Sequence, residues 1–107
     1  MAAEHQLVLC TCPSNTVAGE IATALIEQNL AACVNRLPGV TSWYRWEGQL
    51  HRDDEVLVLI KTTVGRLAEV EATVRKLHPY DLPEFIALPI TAGSADYLSW
   101  ISEATAR

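Results

Sequence analysis

The sequence has few basic residues and no long apolar run. Lysine and arginine number 8 against 13 aspartate and glutamate residues, and the formal net charge is −5 at pH 7. Without a cluster of basic side chains, nucleic acid and anionic membranes are poor candidate partners. No apolar stretch is long enough to span a bilayer, and the N-terminal residues lack the pattern of a signal peptide. These absences predict a cytoplasmic protein with no nucleic-acid partner and no membrane insertion.

Cysteine and the common catalytic motifs are also scarce. The three cysteines are an odd number, which fits a reduced compartment better than a disulfide framework. The chain has no glycine-rich phosphate loop, no evident Ser-His-Asp set and no H-E-x-x-H motif. We therefore predict that the protein is not an enzyme.

The residues that are present predict one folded domain spanning residues 1–107. Half of them are apolar, which argues against disorder. HQLVLCTC predicts a strand, and SNTVAGEIATALIEQN has helical periodicity. Two strands follow in TSWYRWEGQLHRDDEVLVLIKTT, joined near Glu47–Gly48, with a second break at Asp53–Asp54. VGRLAEVEATVRKL predicts a helix that Pro79 stops, and EFIALPI and SADYLSWISEATA predict a last strand and a short helix.

This order predicts an α+β fold, a ferredoxin-like βαββαβ sandwich with an antiparallel sheet and an added C-terminal helix. Right-handed crossovers place the two main helices on the same face of the sheet.

Three of the strands are apolar on both faces. The strands LVLCTC, VLVLI and FIALPI have apolar residues at nearly every position. In a sheet that helices cover on one face only, apolar and polar residues should alternate along each strand. A second copy of the chain is the simplest cover for the other face, so we predict self-association as a trimer. The alternative is that the C-terminal helix folds over this face.

Several stretches resemble the CutA1 divalent-ion tolerance family. They are VLCTCPS, LAACVNRLPGVTSWYRWEG, VLVLIKTT, HPYDLPE and LPITAGSADYLSWI, in this order between about Leu7 and Ile101. The resemblance implies a ferredoxin-like, tightly homotrimeric, cytoplasmic protein linked to copper and other divalent cations, with no firmly assigned reaction. The same architecture is shared with PII-type signalling proteins, which bind small anionic ligands in clefts between subunits.

The resemblance assigns metal binding to Cys10 and His78, which match the family's copper-binding positions. Thiolate and imidazole ligands suit copper or zinc, and both compete with protons, so we expect copper affinity to fall as the pH drops through about 6.5. Glu84 is a candidate carboxylate ligand from the same turn. Family members often have a second histidine where this chain has Leu77, so we expect a weak or incomplete site.

Cys10 and Cys12 form a C-x-C sequence whose side chains leave a strand on the same face. Cys12 is either a second thiolate ligand or a small core residue, and its residue type favours the core.

A small-ligand cleft between subunits is the alternative function, with Lys61, Tyr80, Glu84 and Trp46 as candidate lining residues. In KLHPYDLPEF the prolines turn the chain, and the polar side chains beside them are candidates for a pocket. Trp43 and Tyr44 belong to the densest aromatic group and are candidate subunit contacts, since aromatic anchors beside arginine are typical of interfaces. The alternative for them is a contribution to the core of a long hairpin.

Overall fold

A computed structural model describes residues 4–106 of the chain. Its strands and helices, in chain order, are β1 (His5–Cys12), α1 (Asn15–Glu27), β2 (Cys33–Trp46), β3 (Gln49–Thr63), a 3₁₀ turn (Val64–Arg66), α2 (Leu67–Leu77), β4 (Ile86–Pro89) and α3 (Ala95–Thr105). The four strands form one antiparallel sheet in the order β2-β3-β1-β4. The predicted α+β class, antiparallel sheet and C-terminal helix are confirmed.

Local sequence signals explain where the helices begin and end. The Ser14 hydroxyl accepts a hydrogen bond from the Val17 amide at 3.2 Å and caps α1. Asn29 adopts the left-handed conformation (φ 57°) just after that helix. Helix α2 ends at Leu77, and the amide of the next residue, His78, still donates to the Val74 carbonyl at 2.8 Å. Pro79 follows at once and cannot continue the helix.

The long hairpin differs from the prediction at one point. The turn at Glu47–Gly48 is confirmed, but the predicted break at Asp53–Asp54 is wrong because β3 continues through both residues. These aspartates pair with Ser42 and Thr41 of β2 in a part of the hairpin that no third strand joins. This segment is open to solvent, so charged side chains do not interrupt the strand there.

The main core lies between one face of the sheet and the first two helices. It joins alternate residues of β1 and β3 with one stripe from each helix, and its buried members include Val8, Cys10, Cys12, Val58, Ile60, Ile21, Leu25, Val70 and Val74. Helices α1 and α2 therefore cover the same face of the sheet, which we call the helix face.

Helix α3 covers one end of the opposite face, which we call the second face. Ser102 and Thr105 of α3 hydrogen-bond His5 and Thr63, whose side chains point away from the helix face. Elsewhere on this face large apolar side chains stay accessible, namely Leu37, Ile86 and Leu88. The C-terminal helix thus covers part of the second face and leaves the rest open.

The hairpin formed by residues 40–55 of β2 and β3 projects beyond the rest of the sheet, and we call it the arm. Its side chains include Trp43, which is 64% exposed, and Leu50, which is 71% exposed. The molecule is elongated as a result, with extents of 44 × 26 × 23 Å. Among residues 4–106, no helix has the length and apolar character needed to span a membrane.

Candidate functional site

Two cysteines and a histidine meet on the helix face. The Sγ atoms of Cys10 and Cys12 and one ring nitrogen of His78 all lie within 4.8 Å of one another, and all three residues are buried. Strand β1 supplies both thiols because residues two apart in a strand point to the same face. The end of α2 supplies the imidazole. We call these three residues the thiol–imidazole cluster.

Hydrogen bonds at both ring nitrogens orient the His78 side chain. Nε2 lies 2.8 Å from the Thr11 carbonyl oxygen, and Nδ1 lies 3.2 Å from the Tyr80 amide nitrogen. A carbonyl only accepts and an amide N–H only donates, so Nε2 carries the proton and Nδ1 accepts. The neutral ring therefore has its lone pair at Nδ1, and a metal ion bound there would displace the Tyr80 amide.

The two thiols influence each other's ionisation. The side-chain hydrogen bond to Cys12, followed by burial and the nearby charges of Cys12, Glu84 and Glu55, raises the pKa of the Cys10 thiol. The same hydrogen bond lowers the pKa of Cys12, against the opposing effect of burial. The Cys10 thiol donates a hydrogen bond to the Thr11 carbonyl oxygen, which lies 3.8 Å from Sγ. Metal binding as a thiolate would require Cys10 to lose its proton.

The donor set fits a soft or borderline ion. Two sulfur atoms and one imidazole nitrogen suit copper or zinc, whereas magnesium and calcium require oxygen ligands. Ligand atoms of a tetrahedral or trigonal site lie about 3.5–4 Å apart, given metal–ligand bonds of about 2.0–2.3 Å. Each of these separations would therefore need to shorten by about 1.3 Å at most.

The structure separates the predicted ligands into two places. Cys10 and His78 lie together, and Cys12, which the sequence favoured as a core residue, lies with them. The C-x-C spacing predicts that Cys12 lies beside Cys10. No sequence signal predicts that the His78 side chain reaches the helix face, where both cysteines lie. Glu84 is not in this cluster; it is exposed and lines a cavity on the second face.

This cavity has a volume of about 620 Å³ and lies where the arm meets the segment after α2. It combines aromatic rings with acidic groups, and its lining residues are Thr11, Ser42, Trp43, Tyr44, Arg45, Trp46, Glu55, Tyr80, Asp81, Leu82 and Glu84. We call it the aromatic–acidic cavity. Trp46, Tyr80 and Glu84, predicted as cleft residues, meet here. So do Trp43 and Tyr44, the predicted interface residues, while their role between subunits stays a prediction.

Carboxylates and phenols are paired at the wall of this cavity. Glu55 is only 7% exposed, and its Oε2 accepts a hydrogen bond from the Tyr80 hydroxyl at 3.3 Å. The Tyr44 hydroxyl donates to Asp53 in the same way. Burial and the charge of Glu55 raise the pKa of Tyr80 to about 12, and burial followed by Glu55 raises the pKa of Glu84. Additional negative charge is therefore disfavoured here.

Lys61, the fourth predicted cleft residue, lies at the other end of the sheet. It pairs with Leu7 near the start of β1, whereas Thr11 of the cavity pairs with Leu57. Its Nζ donates to Asn35 at 2.7 Å and lies 5.9 Å from the centroid of the Tyr97 ring. The structure does not bring this cation to the aromatic–acidic cavity.

Comparisons with known proteins agree on one family. A profile of the family described as "CutA1 divalent ion tolerance protein" matches residues 6–104. The "Divalent-cation tolerance protein CutA" of Thermus thermophilus is 50% identical over 101 residues, which are 94% of this chain and 98% of that protein. The chain spans a smaller share, 53–62%, of the length of the CutA proteins it matches from Xenopus laevis, Mus musculus and Homo sapiens.

Solved structures match over nearly the whole chain. CutA1 of the psychrotrophic bacterium Shewanella sp. SIB1 superposes with a TM-score of 0.96 at 39% identity, covering 100% of both chains. A structure described as the "Periplasmic divalent cation tolerance protein CutA" of Archaeoglobus fulgidus superposes with a TM-score of 0.92 at 37% identity, covering 95% of this chain and 99% of the other.

Proposed function

This chain belongs to the CutA1 divalent ion tolerance family, and we propose that it binds copper or zinc through Cys10, Cys12 and His78. The observation that carries the proposal is the convergence of the three potential ligand atoms within 4.8 Å. Two are adjacent on one strand, but the third comes from a residue 66 positions along the chain from Cys12. A bound ion at this depth would be withheld from solution, which is what a tolerance protein requires.

The wider proposal concerns assembly and location. We infer a cytoplasmic homotrimer of ferredoxin-like subunits that acts by binding and not by catalysis. The apolar residues left open on the second face support the assembly. The family's name supports a role in tolerance and denotes no reaction. The free cysteines support a reducing compartment; the periplasmic description of the Archaeoglobus fulgidus protein points to the opposite location for that relative.

Titration of the purified protein with metal ions tests the proposed site. Copper is supplied as Cu(I) without oxygen, because Cu(II) can oxidise thiols, and zinc is titrated separately. We expect Cys10→Ser, Cys12→Ser and His78→Ala each to weaken binding at least about tenfold, since each removes one ligand. Cys33→Ser is the matched control, because Cys33 lies on the second face and should be dispensable.

The competing assignment makes a different prediction. If Glu84 completes the site as the sequence predicted, Glu84→Gln should weaken binding as much as Cys12→Ser does. Under the proposed site it should have a smaller effect. Wild-type affinity in both Cys10→Ser and His78→Ala would contradict the metal site. Magnesium should not bind to the cluster in any variant.

A second candidate function is that of a small-ligand sensor or adaptor. The observation that favours it is the shared position of Trp46, Tyr80 and Glu84 in the aromatic–acidic cavity. We propose that this cavity becomes a cleft between subunits in the trimer. This function would be supported if a small molecule bound in the cavity and if substitution of a lining residue abolished that binding.

A further inference from the structure

The walls of the aromatic–acidic cavity specify the charge of its ligand. Three carboxylates, those of Glu55, Asp81 and Glu84, line it against one guanidinium, that of Arg45. The Arg45 guanidinium also donates to the backbone of the β2–β3 turn, with Nη1 3.4 Å from the Gly48 carbonyl oxygen. The charged lining is therefore net negative, opposite to what an anionic ligand needs.

Glu55 is the central group of this arrangement. It is more than nine-tenths buried, yet it lines the cavity, and Tyr80 contacts only its Oε2. Among residues 4–106, no side chain or backbone group hydrogen-bonds Oε1. Among the described residues no buried side-chain oxygen lacks a partner, so Oε1 is accessible from the cavity and free to accept a hydrogen bond from a ligand. The geometry thus leaves an acceptor directed at the cavity.

Aromatic residues form another part of the wall. Trp43, Tyr44, Trp46 and Tyr80 are all among the lining residues. Aromatic faces attract ammonium groups through their quadrupole, most strongly for tryptophan, and the attraction increases when water is excluded. The arm already shows one such contact, because the guanidinium of Arg52 lies 5.6 Å from the centroid of the Trp43 ring.

We propose that the aromatic–acidic cavity binds a small organic cation, with an ammonium group held between Glu55 and the rings of Trp46 and Tyr80. The inference rests on the second candidate function, the ligand cleft, and is independent of the metal site. Strand β1 separates the two, because Thr11 lines the cavity while Cys10 and Cys12 point to the helix face.

The experiment compares choline with its uncharged isostere 3,3-dimethyl-1-butanol, by calorimetry and by tryptophan fluorescence. The two molecules have the same shape, so their difference measures the contribution of charge. We expect choline to bind to wild type at least about tenfold more tightly. Glu55→Gln should remove this preference, because it keeps the shape of the side chain and deletes its charge. Glu20→Gln on the exposed surface of α1 is the matched control and should bind like wild type.

A second variant covers the case in which Glu55→Gln fails to fold. Trp46→Leu alters a partly exposed wall residue and should weaken choline binding several-fold without changing secondary structure. Citrate serves as the anionic probe. If citrate binds and choline does not, the cation inference is overturned while the ligand-cleft function stands. If neither cation, neutral isostere nor anion binds at millimolar concentration, both are overturned.

Discussion

Tyr80 is the residue that joins the two candidate sites. Its backbone amide donates to Nδ1 of His78, its hydroxyl donates to Glu55, and its ring lies 4.6 Å from the imidazole, centroid to centroid. The segment that reaches Glu84 thus starts at the thiol–imidazole cluster and ends at the aromatic–acidic cavity. Displacing the amide by a metal ion at Nδ1 would disturb a residue that also forms the cavity wall.

The ionisation of Tyr80 gives a prediction about alkaline stability. Because its pKa is raised from 10.0 to about 12 in the folded protein, the unfolded chain loses this proton first as the pH increases. The contribution of Tyr80 is therefore complete below about pH 10 and is lost between about pH 10 and pH 12. Tyr80→Phe should reduce the fall in stability over this window. Urea unfolding of both proteins at about pH 8 and about pH 11 measures it, and identical falls would contradict the assignment.

At the residue scale, sequence identified the right residue types but not all their neighbours. The family resemblance predicts Cys10 and His78 as ligands together, whereas the C-x-C spacing places Cys12 on the face of Cys10 and its residue type favours the core. Glu84 was grouped with His78 because six residues separate them, but Pro79 and Pro83 direct the chain between them toward the second face. Which face a turn reaches depends on contacts with β1, such as that of His78 with the Thr11 carbonyl, and those are not encoded in local spacing.

At the scale of elements, the β2–β3 turn is the clearest case of local control. Glu47 and Gly48 both have positive φ, 51° and 77°, and Trp46 pairs directly with Gln49. Two consecutive residues with positive φ define a type I′ turn, whose twist matches that of the two strands. Glycine suits the second position, whereas glutamate at the first is strained.

Substitutions in this turn should therefore change stability in opposite directions. Gly48→Ala should lower the free energy of unfolding by about 1–2 kcal/mol, because alanine resists the left-handed conformation. No atom lies within 4 Å of the added methyl position, so the cost is conformational. Glu47→Asn should raise stability by about 0.5 kcal/mol, since asparagine tolerates positive φ.

Gly65→Ala is the control for this pair. Its added methyl also meets no atom within 4 Å, but its φ is not in the left-handed range. We expect a change within about 0.5 kcal/mol. All four proteins are compared by urea unfolding at one protein concentration, because assembly would make stability depend on concentration. Equal losses in Gly48→Ala and Gly65→Ala would contradict the turn argument.

The length of β3 shows why sequence reasoning misjudged one element. The apolar pattern predicts the strand from Val56 onward, where β3 has β1 on one side and β2 on the other. Asp53 and Asp54 predict a break because adjacent aspartates are typical of turns and loops. In the arm β3 has only β2 as a neighbour, and the two aspartates face solvent or a tyrosine hydroxyl. The strand accommodates the two aspartates because the hairpin projects beyond the rest of the sheet. Local sequence does not reveal that projection.

At the scale of the whole molecule, the single chain leaves too much apolar surface open. The radius of gyration is 14.3 Å, above the roughly 13 Å typical of a compact chain of this length, because the arm projects. A two-stranded arm is marginally stable alone in water. Its exposed Trp43 and Leu50, together with the open part of the second face, form apolar surface of the kind that monomers usually bury.

A pair of surface substitutions tests the proposed trimer. Leu88 on the second face is 44% exposed and Ile26 on α1 is 43% exposed, so the two sites are matched in accessibility. Leu88→Glu should dissociate the assembly, because an interface burying it would have to desolvate an unpaired carboxylate. Ile26→Glu should leave the assembly intact, because Ile26 lies on the exposed surface of α1 and not on the second face. Sedimentation equilibrium at micromolar concentration measures the mass of each protein. A wild-type monomer would contradict self-association, and equal dissociation by both substitutions would contradict the assignment of the interface to the second face.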